Sequence, residues 1–400
     1  MQSNGFMNNN YCFIASAGAG KTSYIIDEAV KAVDNNNANS VLIITLTIKN
    51  QDNVRSRINA LPFRIAKRIK VSGWYQFLLK YIIRPYKGDV IPELYDRNVA
   101  MLWSDANQTV KIGKWSKNRY SAGDNHAKYL KNWKIYKNYL SEFAYECIKA
   151  NPKSCMDRLG KIFSNIFIDE SQDMAGYDFD VIASMFKSPI PITVVGDPRQ
   201  HTYSSNMLNR HKKYKGRIEM FIQEKVNTRK TPIVTIDSQT LSVSHRCGKE
   251  ICTVASLIHH GEYTPTSECS CEECKGRKAI FNNGICGVYW VREGDESTFI
   301  TKYSPIALTH DRRKRINPLI NIRINMGESK GLGFNSCLIY PTAKMLAFLK
   351  SGYDFEETEK AKLYVAITRA THIIGFIVPK NFKSSYIDLP YWTLNTKYDN

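Results

Sequence analysis

The sequence predicts an α/β protein of two parallel-sheet domains, the first interrupted by a helical insertion. Three observations lead there. Short apolar runs alternate with helical patterns along most of the chain, a Gly/Ala/Ser loop lies between a strand and a helix near the start, and a polar-aromatic stretch between Ser72 and Lys161 breaks the alternation. Strands alternating with helices bury both faces of a parallel sheet beneath crossover helices.

YCFI, VLIITL, SNIFI and ITVVG are the strands expected first, with CLIYP and IIGFIV following later. WYQFLLKYIIRPY and YLKNWKIYKNYLSEFAYECIKA read as amphipathic helices of the insertion. A chain of 400 residues exceeds one typical domain. The expected division is therefore 1–72 with 161–205 for the first domain, 73–160 for the insertion and 206–400 for the second domain. The second would open on the basic segment NRHKKYKGR and carry a short insertion around 260–290.

Lys and Arg number 56 against 37 Asp and Glu, a net charge of +19 spread along the chain. This favours a polyanionic partner such as nucleic acid, with an anionic membrane surface as the alternative. No apolar run reaches the roughly twenty residues of a membrane-spanning helix, and MQSNGFMNNN lacks a signal-peptide core. A cytoplasmic protein is the expectation.

The first chemical signal is FIASAGAGKTSYIIDEAV. An apolar strand enters a loop of small residues and a helix leaves it with Ile25, Ile26, Ala29, Val30 and Val33 on one side. Small residues let backbone N–H groups close around phosphate oxygens at a helix N-terminus; Lys21 adds charge and the Thr22 hydroxyl suits Mg²⁺. Ala17, Gly18, Ala19, Gly20, Lys21, Thr22 and Ser23 are thus the candidate triphosphate cradle, although Ala15 stands where the strict motif has Gly. The second signal, SNIFIDESQD, ends a buried strand in paired acids. Asp169 suits the Mg²⁺ water shell, and Glu170 suits activation of an attacking water.

Ten cysteines diluted over a chain of this size are expected to be reduced. CSCEECKG supplies Cys269, Cys271 and Cys274 in a polar loop, with Cys286, His259 or His260 as candidate fourth ligands for zinc. The spacing departs from paired CxxC motifs and favours loop thiols, so zinc is left uncommitted.

Seven segments in order resemble the motifs of superfamily 1 helicases of the UvrD/Rep type. TLTIKNQDNVRSRI is similar to that family's TFTNKAA segment, VSGWYQFLL to TFHSF, DESQD to the DExxD box and GDPRQHTY to GDxxQSIY. SHRCGKEIC resembles NYRS, SKGLGFNSCLIYP resembles SKGLEF, and KLYVAITRAT resembles LLYVALTRA. The resemblance implies two RecA-like P-loop domains, ATP and Mg²⁺ as cofactors, and an ATP-driven motor moving 3′→5′ on single-stranded DNA. It implies that Gln200 senses the γ-phosphate, that Arg246 and Arg369 reach it from the second domain, and that His245 stands where a tyrosine packs on adenine. It also implies DNA contacts from Thr47, Trp74 and Tyr203.

The sequence departs from the family at several of these places. Ser205 replaces a base-stacking aromatic, Ile48 and Leu46 replace the Asn and aromatic of TFTN, Gly333 replaces the Glu of SKGLEF, and the segment between Arg246 and Lys330 is too short for the family's large extra domain. A DNA-sensing ATPase that regulates a partner nuclease, as in anti-phage defence, is therefore the alternative function. A module that has lost catalysis is disfavoured by the presence of Lys21, Glu170 and both arginines.

Overall fold

The computed structural model describes residues 10–35, 39–104, 109–112, 115–118, 128–206, 208–228, 230, 232–280 and 286–394. Two compact units emerge. One comprises Met1–Phe13, Thr22–Gly196 and Tyr203–Asp237; the other comprises Ile14–Lys21, Asp197–Thr202 and Ser238–Asn400.

The first unit is built on six strands: β1 (Tyr11–Ile14), β2 (Ser40–Thr45), β3 (Ile69–Gly73), β4 (Phe163–Ile168), β5 (Ile192–Gly196) and β6 (Thr235–Asp237). Their order is β6-β1-β5-β4-β2-β3. The pairings of β2 with β3 and β4, of β4 with β5 and of β1 with β6 are all parallel. Central strands such as β2 are buried along nearly their whole length, which is why they read as continuous Val/Ile/Leu runs. The helix Lys21–Asn35 turns Ile25, Ile26, Ala29 and Val33 inward, four of the five residues its spacing singles out.

The insertion opens with a helix whose turns Trp74–Phe77 and Arg84–Val90 flank a π-helical stretch, Leu78–Ile83. Its second segment is not one helix. Leu130–Lys131 and Lys134–Tyr136 form an antiparallel pair, and helix begins only at Leu140–Ala150. Asn132 and Trp133 between them adopt positive φ, the geometry of a tight hairpin turn, so an apparent helical period spans a β-turn.

The segment after Tyr203 also departs from expectation. It stays in the first unit, because β6 extends the sheet at β1 and Ile218, Phe221, Ile222 and Val226 join the same hydrophobic core as Phe179. The basic NRHKKYKGR stretch therefore belongs to the first unit.

The second unit has a five-stranded parallel sheet and a short parallel pair. The pair is β7 (Val243–Ser244) with β8 (Ser267–Glu268). The sheet comprises β9 (Gly287–Arg292), β10 (Ile306–Thr309), β11 (Arg323–Asn325), β12 (Phe334–Tyr340) and β13 (Ala370–Val378), ordered β9-β13-β12-β10-β11. Helices Lys249–Ile258 and Glu357–Ile367 pack on it through Ile251, Val254, Leu363 and Ile367, and Ala17 joins that core. No described helix is long and apolar enough to cross a membrane.

Candidate nucleotide and nucleic-acid sites

The glycine-rich loop is held by a dense set of contacts within the second unit. Arg199 donates from Nη2 to the Ala15 carbonyl and Ser16 Oγ, both at 3.1 Å. Ala17 N–H points at the Tyr364 hydroxyl at 3.4 Å, and His245 N–H donates to the Gly18 carbonyl at 2.9 Å. Gly18 has φ +74°, and a Cβ there would stand 2.7 Å from both Arg246 Cβ and Ser244 Oγ. Only glycine satisfies both the left-handed backbone and this approach. The small residues expected for phosphate also admit Arg246 beside the loop.

Asp197, fully buried at the end of β5, organises the rest. Its Oδ1 accepts from Arg199 Nε at 2.8 Å; its Oδ2 accepts from Gln200 Nε2 at 2.8 Å and from the Tyr364 hydroxyl at 3.2 Å. Burial pushes this carboxyl up, but the charges of Arg199 and Lys21 with the bonds from Arg199 and Gln200 outweigh it, leaving Asp197 below its ordinary value. Arg369 is as deeply buried. It donates from Nε to the Val365 carbonyl at 3.0 Å, from Nη1 to the Leu332 carbonyl at 3.0 Å and from Nη2 to Gln200 Oε1 at 3.4 Å. Arg246 is half-buried and reaches the Thr368 carbonyl at 3.3 Å. Gly333, in place of the Glu of SKGLEF, lies against the Arg246 side chain, where a Cβ would be 3.7 Å from Nε.

The paired acids belong to the first unit. Thr22 Oγ1 donates to Asp169 Oδ2 at 3.1 Å, and Asp169 Oδ1 accepts the Glu170 N–H at 2.9 Å. A hydroxyl beside a carboxylate is a hard-oxygen donor set suited to Mg²⁺. Glu170 sits in the left-handed region at φ 56°, a conformation that is uncommon for a non-glycine residue, and accepts a short hydrogen bond from Gln172 Nε2. Ser23 is committed elsewhere, its hydroxyl accepting from Arg57 at 2.9 Å.

On the first unit, a cleft of about 350 Å³ is lined by Ile48, Trp74, Tyr75, Lys80, Arg84 and Trp103, among others. Trp74 is its buried floor rather than an exposed platform: it is 0% exposed and its indole Nε1 donates to Asp178 at 2.6 Å. Trp103, 69% exposed and in edge contact with Tyr75, is the accessible ring that the sequence reasoning missed. Tyr203 is 49% exposed, and its hydroxyl accepts from Lys137 Nζ at 3.1 Å. Thr47 is exposed and caps the helix Ile48–Asn59 by accepting the Asn50 N–H at 3.2 Å. Ser205 is buried in the Asp178 network, so an aromatic there has no room.

Sequence reasoning also passed over Asp197, Arg199 and Tyr364. All three lie inside motifs it quoted, GDPRQHTY and KLYVAITRAT; the available signal was a charged pair just after a strand end for Asp197 and Arg199, and a hydroxyl within a buried helix for Tyr364. Among the cysteines, Cys269, Cys271 and Cys274 gather around His245; Cys286, His259 and His260 are not members of the cluster.

The fold and these contacts define an α/β protein of parallel sheets with a glycine-rich loop between a strand and a helix. Residues 2–114, just over a quarter of the chain, match the family model of the UvrD/REP helicase N-terminal domain. Among solved structures, the chain is similar to the arterivirus nonstructural protein 10 helicase in complex with DNA. The identity is 13% and the TM-score 0.43, covering 93% of this chain. This chain spans 62% of the length of that protein. No curated protein matches it.

Proposed function

We propose that this protein is an ATP-dependent single-stranded-DNA translocase or helicase moving 3′→5′, built on two RecA-like P-loop domains. The observation that carries the reading is the hydrogen-bonded chain Ala17–Tyr364–Asp197–Gln200–Arg369, which ties the glycine-rich loop to a buried arginine through the glutamine expected to sense a γ-phosphate.

In this reading, backbone N–H groups of Ala17–Lys21 and the Lys21 ammonium bind the β- and γ-phosphates. Thr22 and Asp169 hold Mg²⁺, which when bound neutralises phosphate charge. Glu170, kept in a strained backbone and oriented by Gln172, takes a proton from the attacking water. Gln200 registers the terminal phosphate, and Arg246 and Arg369 stabilise its charge as the bond breaks. Family resemblance supports these roles. Occupancy of the loop then alters the Gln200–Arg369 contact, a discrete change that can be passed to bound DNA.

The DNA side rests on Thr47 and the open N-terminus of its helix for phosphate, with Tyr203, Lys137, Tyr75 and Trp103 interleaving aromatic and basic groups. Such interleaving suits single strands, for which stacking and phosphate contacts give affinity without sequence choice. A second reading, a DNA-sensing ATPase that regulates a partner nuclease with little unwinding, is favoured by one observation: Ser205 and Trp74 are both buried, thinning the base-gripping set. A forked duplex with a 3′ single-stranded tail separates the two. Strand release during ATP turnover supports the helicase; turnover without strand release supports the sensor.

A further inference from the structure

We infer that His245, Cys269, Cys271 and Cys274 form a structural zinc site. Their ligand atoms, three Sγ and one ring nitrogen, all lie within 4.8 Å of one another. A tetrahedral zinc with Zn–S of about 2.3 Å and Zn–N of about 2.0–2.1 Å requires sulfurs about 3.8 Å apart and a sulfur–nitrogen separation of about 3.6 Å. Cys274 Sγ and His245 Nδ1 are 3.7 Å apart. One ion therefore fits at their centre with only small side-chain adjustments.

The backbone explains how residues so far apart in sequence converge. Pairing of β7 with β8 is continued by Cys269 N–H donating to the Ser244 carbonyl at 2.9 Å, which sets Cys269 beside His245. The helix Glu272–Ile280 starts directly after Cys271, and its first turn returns Cys274 to the same point. Cys271 N–H points at Cys269 Sγ at 3.5 Å, which holds the two residues of the loop together. Cys269 and Cys274 are buried, a costly place for thiolates unless a cation neutralises them. No disulfide joins these cysteines.

Three soft thiolates and one imidazole select zinc over the hard Mg²⁺, and four protein ligands leave no open position. The ion is thus a clip and not a reaction centre. It ties strand β7 to the Cys loop immediately before Arg246, whose Cβ abuts Gly18 of the glycine-rich loop. Ligation through Nδ1 leaves the rest of the exposed His245 ring accessible. The clip fixes the backbone that presents Arg246, and it does so whether or not the chain is a motor.

Metal content tests this without reference to activity. The full chain, purified without a histidine tag, should retain about one zinc per molecule after dialysis. Cys274→Ser and Cys271→Ser should each lose it, and Cys286→Ser should keep it. Cys271 is exposed, so its variant is expected to fold, as circular dichroism would verify. Co²⁺ added to the chelator-treated chain should give the thiolate charge-transfer band and visible absorption of a tetrahedral site, and His245→Ala should shift or abolish that spectrum. Substoichiometric zinc together with an absent cobalt spectrum overturns the inference. So does zinc that persists unchanged in both cysteine variants.

Discussion

Arg369 directs Nη2 at Gln200 Oε1 from 3.4 Å, and Gln200 uses its other amide atom to donate to Asp197 Oδ2 at 2.8 Å. A neutral amide thus bridges a buried cation and a buried carboxylate. Because the two contacts use opposite ends of one amide, moving the glutamine disturbs both charges. Residues so joined should couple energetically. In a double-mutant cycle on NTP turnover, Arg369→Lys and Gln200→Ala should show an interaction of about 0.5–3 kcal/mol. Arg369→Ala alone should slow turnover by about 10³-fold or more. Strict additivity of the two changes would remove the bridge from the mechanism.

Gly18→Ala tests the packing of the loop. The substitution forces a side chain into a left-handed backbone, at about 1–2 kcal/mol, and into a space already filled by Arg246 and Ser244. Affinity for a fluorescent triphosphate analogue should fall about tenfold or more, as 1.4 kcal/mol per decade requires. Wild-type affinity in Gly18→Ala would show that the approach of Arg246 is unimportant.

Trp74 and Trp103 should separate stability from binding. Trp74→Phe deletes a buried donor to Asp178 and should cost about 1–3 kcal/mol in urea unfolding. Trp103→Ala should leave unfolding nearly unchanged and weaken single-stranded DNA binding by about 1–3 kcal/mol. Fluorescence anisotropy at fixed salt measures the second effect, and the reverse pattern would move the DNA path away from this cleft.

Asp180 gives a pH signature. Burial raises its carboxyl, but hydrogen bonds from Arg210 and His211 and their charges prevail, so its folded pKa lies below the ordinary 3.8. A lowered carboxylate contributes stability that is present above the unfolded value and is lost as pH falls through the folded one. Asp180→Asn should therefore be less stable than the wild type near neutral pH, by up to about 1 kcal/mol for a partly exposed pair. The difference should close below about pH 4. A gap that stays constant across that range would assign the effect to packing.

Much of this organisation was legible in the residues. Buried parallel strands announce themselves as unbroken apolar runs, so β2, β4, β5, β12 and β13 could be read directly. Edge strands such as Ile69–Gly73 and Thr235–Asp237 are short and partly polar, and nothing local distinguishes them from loops. Asn132 and Trp133 hid a hairpin turn inside a helical period, because positive φ at a non-glycine residue leaves no compositional trace. At the candidate sites, residue chemistry pointed to Lys21, Asp169 and Glu170, and the family resemblance pointed to Gln200, Arg246 and Arg369. Neither could foresee that Tyr364 and Arg199 would hold the loop, since their role arises from contacts between residues more than a hundred positions apart. Trp74 was misread because an aromatic in a motif looks the same whether it faces solvent or Asp178.

The central claim is that triphosphate hydrolysis at the glycine-rich loop responds to single-stranded DNA. Steady-state ATP turnover by the purified chain, measured with and without an unstructured oligonucleotide, tests it most directly. Turnover should rise steeply with DNA, and Lys21→Ala and Glu170→Gln should each abolish it while leaving the protein folded. Turnover that is indifferent to DNA, or that survives both substitutions, contradicts the account.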